Sequence, residues 1–216
     1  MNSLLISYSI VCISSLICVL LGYKLLHPKQ PLYATLCYLG FITFFLGRLY
    51  ECSRLCLNFE LYNTFELGFV GIVGAFSFWL SSNFSIRQKV NQKASKKDVI
   101  KCLLASILVF SLYFLIINGT VNKLERIIDF IICIYAASNV YYYLRHLLLL
   151  KEDKTGFLKD LKMYNIYGIC FSIAIELLAV SFAHSINSLL LVMSILLSID
   201  LLCMMISFKK GVKEWK

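Results

Sequence analysis

Proline is nearly missing from this chain. Its two prolines, Pro28 and Pro31, share one short connection, so no long apolar run is kinked by a pyrrolidine ring or deprived of an amide donor. Charge is also scarce: 15% of the 216 residues are Asp, Glu, Lys or Arg, while 60% are hydrophobic. A soluble domain of this size cannot hide so much apolar surface in one core. The apolar runs do not alternate in ten-residue segments as barrel strands do, which leaves helices as the only spanning structure. No CxxC pair or Cys/His cluster occurs among the nine cysteines, so neither a zinc site nor a redox motif is supported. Most of these cysteines lie within apolar runs and behave as small apolar residues. Cys52 and Cys56 are one helical turn apart, a spacing that suits a disulfide poorly. HExxH and GxSxG are absent as well. No metal and no cofactor are expected.

What is present is seven apolar stretches, at about 3–22, 32–53, 66–85, 99–117, 126–147, 163–183 and 186–207. Each is long enough to cross the ~30 Å hydrocarbon layer, which takes ~20 helical residues. The reading is an all-α integral membrane bundle forming a single domain over residues 1–216. Positive charge alternates between the connections. Lys24 and Lys29 follow the first span, and Arg87, Lys89, Lys93, Lys96, Lys97 and Lys101 join the third to the fourth. Arg145, Lys151, Lys154, Lys159 and Lys162 join the fifth to the sixth, and Lys209, Lys210, Lys213 and Lys216 form the tail. The other connections carry Glu60 and Glu66, then Lys123, Glu125 and Arg126, then little beyond His184. The positive-inside rule places the basic group in the cytoplasm, the N-terminus outside and the C-terminus inside. That orientation needs an odd number of spans, in agreement with seven.

The net charge of +9 is thus spent on topology. The basic loops are expected to meet anionic inner-leaflet lipids, and the bilayer is the first partner. Tyr141, Tyr142 and Tyr143 beside Arg145 and His146 read as an interfacial anchor, and nucleic acid is not expected. Residues 1–20 hold no Lys or Arg, unlike a signal-peptide n-region, so the first span is expected to be retained. No long soluble region is visible, so output is expected through a protein partner or a homo-oligomer. The composition, rich in Ile, Leu and Lys, fits an AT-rich coding sequence and the plasma membrane of a low-GC bacterium. The sequon Asn118-Gly119-Thr120 is then accidental.

Glycines mark packing. Gly68, Gly71, Gly74 and Ala75 form a small-residue ridge in the third span, and Gly40 and Gly47 share one face of the second. Ionisable residues mark function, because a charge at the centre of a spanning helix costs at least ~2.5–3.5 kcal/mol. Glu176 is the sharpest candidate. Asn165, Gly168, Ser172, Glu176, Ala179 and Ala183 lie within one arc of the sixth span, a polar and small stripe that must face protein or water. Asp129, Cys133, Ala136 and Asn139 repeat the pattern in the fifth, where Asp129 is also near enough to the interface to snorkel. Arg48 and Glu51 are one turn apart and able to pair, forming either an interfacial lock or a charged rim. Asp200 in the seventh span is able to pair with Arg145 or His146. Arg48, Glu51, Glu66, Asp129 and Glu176 all map to the outer half, where a carboxylate-lined pocket favours a cationic or proton-coupled ligand.

Small seven-span sugar transporters are similar in length and orientation, with spans one to three repeated as five to seven. They rely on helix prolines, which every span here lacks. Retinal proteins need a lysine in the last span, and none stands there. Glu176 with Asp129 offers an acid–base pair for hydrolysis, the weakest of the readings. Unbroken helices favour a non-enzymatic sensor, receptor or accessory protein that binds a ligand or partner in the outer half through Glu176, Asp129, Arg48, Glu51, Ser172 and Asn165. A small-solute or proton-coupled transporter is the alternative.

Overall fold

A computed structural model describes residues 2–26, 30–57, 67–90, 93–120 and 122–214. Among these, every regular element is helical. The chain runs through α1 (Asn2–Gly22), α2 (Leu32–Cys56), α3 (Leu67–Val90), α4 (Lys96–Phe110), α5 (Tyr113–Gly119), α6 (Lys123–Leu149), α7 (Phe157–Asp160), α8 (Lys162–Ala183) and α9 (Asn187–Glu214). A 3-10 turn, Tyr23–Leu26, extends α1. Seven segments are long and apolar enough to cross a membrane, with α4 and α5 together making the fourth.

The starts of these helices are written in the connections. Ser95 caps α4 by accepting from the Asp98 amide at 3.2 Å, and Asn122 caps α6 by accepting from Leu124 at 3.0 Å, each satisfying an orphan amide donor. The connection between α6 and α8 is folded rather than loose. Asp153 accepts from the Leu158 amide at 2.6 Å, and α7 tucks the Phe157 ring edge-on against Tyr33, 5.4 Å away. The basic stretch 86–98 is likewise partly helical, because α3 continues to Val90.

One span is not continuous. The fourth breaks between Phe110 and Tyr113, where Leu112 donates to Val109 in a tighter i−3 bond at 3.0 Å. Ser111 turns its hydroxyl back onto the Leu108 carbonyl at 2.6 Å. The helical ladder is locally tightened there, with no proline in the span. The expectation of uninterrupted spans is therefore corrected at this point.

Six helices close a ring in the order α1, α2, α3, α6, α8, α9 and back to α1, while α4 and α5 pack outside against α6 and α8. The outlying span shows it on its surface: Leu108 is 72% exposed, and Leu104 and Ile107 are exposed too. Two three-helix units, α1–α2–α3 and α6–α8–α9, thus occupy equivalent places. They join through two side-by-side pairs, α3 with α6 and α9 with α1. Asn83 meets Asn139 at 3.2 Å in the first, and the Cys18 thiol meets the Leu201 carbonyl at 3.5 Å in the second.

Helices apolar enough to span a bilayer associate there by close packing rather than by the hydrophobic effect, because lipid is as apolar as leucine. The α2–α3 seam does this with glycine. A Cβ on Gly47 would sit 2.8 Å from the Gly68 carbonyl and 2.9 Å from Gly71 Cα, so the two backbones touch. Further along, Trp79 lies over Gly40 and donates its indole N–H to the Cys37 carbonyl at 3.1 Å. Phe41, Phe76 and Phe171 pack edge-on around Trp79, with centroids 5.3, 5.8 and 5.1 Å away. The glycine ridge read from the sequence is the contact between these two helices.

Candidate functional site

The polar stripe of α8 faces the bundle. Asn165, Gly168, Ser172 and Glu176 are all buried, and α6 is the helix they meet. The Tyr143 ring lies against Gly168, His146 stands beside Asn165, and Cys133 stands beside Glu176. Glu176 is 0% exposed, and neither carboxylate oxygen has a hydrogen-bond partner among the described residues. Asp129, half-buried one turn from Cys133 toward the start of α6, is near the same thiol. The structure therefore brings Glu176 and Asp129 to one stretch of the α6–α8 seam. Ser172 lies one turn below, its hydroxyl donating to the Gly168 carbonyl at 2.8 Å.

Asn165 does not join them. Eleven residues along α8 separate it from Glu176, about 16 Å of helix. It belongs to a second cluster at the end of the bundle that carries Lys97, Lys154 and Lys213. There His146 is 1% exposed and faces Asn165, the ring and the amide close enough to interact but short of a well-formed hydrogen bond. The neighbouring polar groups are better served. Asn83 donates to Asn139, Asn139 donates to the Phe76 carbonyl at 3.0 Å, and the Tyr143 and Tyr164 hydroxyls meet at 3.4 Å. Tyr164 also accepts from the Cys37 thiol at 3.5 Å. Sequence reasoning missed this network. Tyr143, Arg145 and His146 read as an interfacial anchor, yet all three are buried. The signal lay in their spacing, because Asn139, Tyr143 and His146 continue the Asp129–Cys133–Ala136 arc down α6.

The rim of α2 is also rearranged. Glu51 pairs with Arg54, Oε2 to Nη2 at 3.3 Å, rather than with Arg48. The Glu51 side chain lies on Gly68, where any Cβ would overlap it. Arg48 turns the other way, its guanidinium 5.3 Å from the Tyr8 ring centroid and 5.5 Å from that of Phe44. It is 4% exposed and has no carboxylate partner among the described residues, and its Nε has no acceptor. The favourable quadrupole of two aromatic faces substitutes for a counter-ion only in part.

One further expectation changes. Asp200 reaches neither Arg145 nor His146; it lies near Tyr167 and Cys170 of α8. Arg145 lies instead near Cys102 of α4. His184 is exposed, its Nε2 2.9 Å from the Leu115 carbonyl. Glu66 lies outside the described residues. Cys52 and Cys56 carry free thiols, and no group of three metal-ligating side chains assembles among the described residues.

The class this defines is a helical protein with seven membrane-capable segments, compatible with a multi-pass membrane protein. No family model, curated protein or solved structure matches the chain.

Proposed function

We propose that this chain is a multi-pass protein of the plasma membrane, with its N-terminus outside and its C-terminus in the cytoplasm. In this reading it binds a small ligand in the outer half of the six-helix ring. The observation that carries the reading is Glu176, a carboxyl group fully buried in the α6–α8 seam with neither oxygen partnered. A Ser or Asn would hold two helices together at lower cost, since interhelical polar contacts average only ~0.6 kcal/mol. A carboxyl group kept there at the expense of desolvation is best accounted for by a ligand. Asp129 stands on the outer side of Glu176, and Arg48 lines the opposite wall. The basic loops hold anionic lipids, and the signal passes to a protein partner or a second copy.

A transporter is the second reading. Its supporting observation is the arrangement of α1–α2–α3 and α6–α8–α9 in equivalent places, with the interrupted α4–α5 span outside, because repeated bundles of this kind build many transporters. The test is thermal unfolding of the purified full chain against a panel of amines, carboxylates, amino acids and inorganic cations, followed by uptake into proteoliposomes. At least one class should raise the Tm of the wild type and leave Glu176→Gln unmoved. Identical responses of the two proteins to every compound would defeat the ligand reading. Flux that needs Glu176 would favour transport over sensing.

A further inference from the structure

A buried guanidinium, that of Arg48, and a buried carboxyl group, that of Glu176, are left unpaired in the outer half of the ring, on helices that face each other across it. Counting round the ring, α2 and α8 are three places apart in either direction. Their depths are tied by one contact. Phe44 of α2 and Phe171 of α8 meet edge-on across the centre, with centroids 5.4 Å apart. Arg48 stands four residues beyond Phe44, and Glu176 five residues beyond Phe171. Both helices run toward the same end from that contact, so the two charges rise about 6 Å and about 7.5 Å above a shared aromatic floor. They occupy one layer of the bundle.

The two groups do not neutralise each other. Glu51, the ready partner for Arg48 on its own helix, is taken by Arg54. Glu176 stands near Cys133 of α6. Ser7, at a similar depth in α1, adds a buried hydroxyl with no partner. A lone cation would satisfy Glu176 and leave Arg48 bare. A lone anion would do the reverse. A molecule carrying both charges satisfies both.

We propose that the ligand of the outer-half site is a small zwitterion of the amino-acid or short-peptide class, its carboxylate on Arg48 and its ammonium group on Glu176. This rests on the reading of an outer-half ligand site given above. The guanidinium fork matches a carboxylate in two parallel hydrogen bonds, and the two oxygens of Glu176 accept from an ammonium group. Phe44 lies under the guanidinium, and with Phe171 and Trp79 it makes the apolar base on which the body of the ligand rests.

The test is calorimetric titration of the purified full chain with three zwitterions of increasing charge separation: leucine, γ-aminobutyrate and leucyl-leucine. Two half-molecules accompany them: isoamylamine, which lacks the carboxylate, and 4-methylpentanoate, which lacks the ammonium group. At least one zwitterion should bind roughly 30-fold more tightly than either half, the loss expected when one partner of a buried charge pair is removed. Arg48→Gln should then bind that zwitterion no better than the amine. Glu176→Gln should bind it no better than the carboxylate. Should Arg48→Gln fail to fold, Arg48→Lys keeps the charge without the fork and should weaken the zwitterion while leaving the amine unchanged. Equal affinity for amine and zwitterion, with Arg48→Gln silent, would overturn the proposal and leave a cation site at Glu176 standing. No binding of any of the five probes would overturn it too. The broader ligand reading would then depend on the wider panel, where its failure is seen separately.

Discussion

Two helix seams in this bundle have been solved in opposite ways. Along α2–α3, glycine meets glycine, an indole covers the next glycine, and the one carboxylate, Glu51, has a guanidinium partner on its own helix. Along α6–α8, a glycine again admits a ring, that of Tyr143, but the polar groups above and below it are poorly served: Glu176 has no partner at one end, and His146 and Asn165 face each other without a well-formed hydrogen bond at the other. The first seam joins its two helices by close backbone packing of the kind small residues allow. The second keeps polar atoms that packing alone would have replaced with Ala, Leu or Ser. Unpartnered groups in a native interior call for an explanation outside the fold, and that is the physical ground for centring the site on Glu176 of the α6–α8 seam, with Arg48 of α2 facing it across the ring.

The largest effect should come from breaking the packed seam. Gly47→Leu drives a side chain into the backbone of Gly68 and Gly71, which has no flexible end to give way. Size-exclusion chromatography should show no monodisperse protein. Next, Glu51→Gln removes the charge from the carboxyl group that pairs with Arg54, in a site only 5% exposed. Removing one partner of a buried ion pair costs about 3 kcal/mol, and the Tm should fall by roughly 6–12 °C at 2–4 °C per kcal/mol for a chain of this length. The smallest effect belongs to Gly74→Ala. Its new methyl would meet Thr43 at an ordinary 3.5 Å, so the Tm should move by no more than about 2 °C, and Gly47 and Gly74 together separate a glycine the seam needs from one it tolerates.

Helix number, the ridge of α3 and the inward face of α8 were legible in the sequence because each is a one-dimensional pattern, in hydropathy or in spacing at 3.6 residues per turn. What could not be read was which helix answers which. Arg48 has carboxylates three residues away on one side and across the ring on the other, and spacing alone favours Glu51. The fold gives Glu51 to Arg54, three residues further on, because Gly68 of α3 makes room for the carboxyl on that side. Arg145 and His146 look like anchors because they end a span beside tyrosines. They are buried because α6 continues to Leu149, inside the ring and against α4. The break in the fourth span had no proline to announce it.

Glu176→Gln, compared with Glu51→Gln in thermal unfolding of the purified protein without ligand, tests the contrast between the seams most directly. If Glu176 is held in place for a ligand and contributes nothing to the empty fold, its amide variant should unfold at the wild-type Tm or above it, while Glu51→Gln unfolds well below. A fall in Tm for Glu176→Gln as large as that for Glu51→Gln would mean that the carboxyl has a structural partner, and would contradict the account.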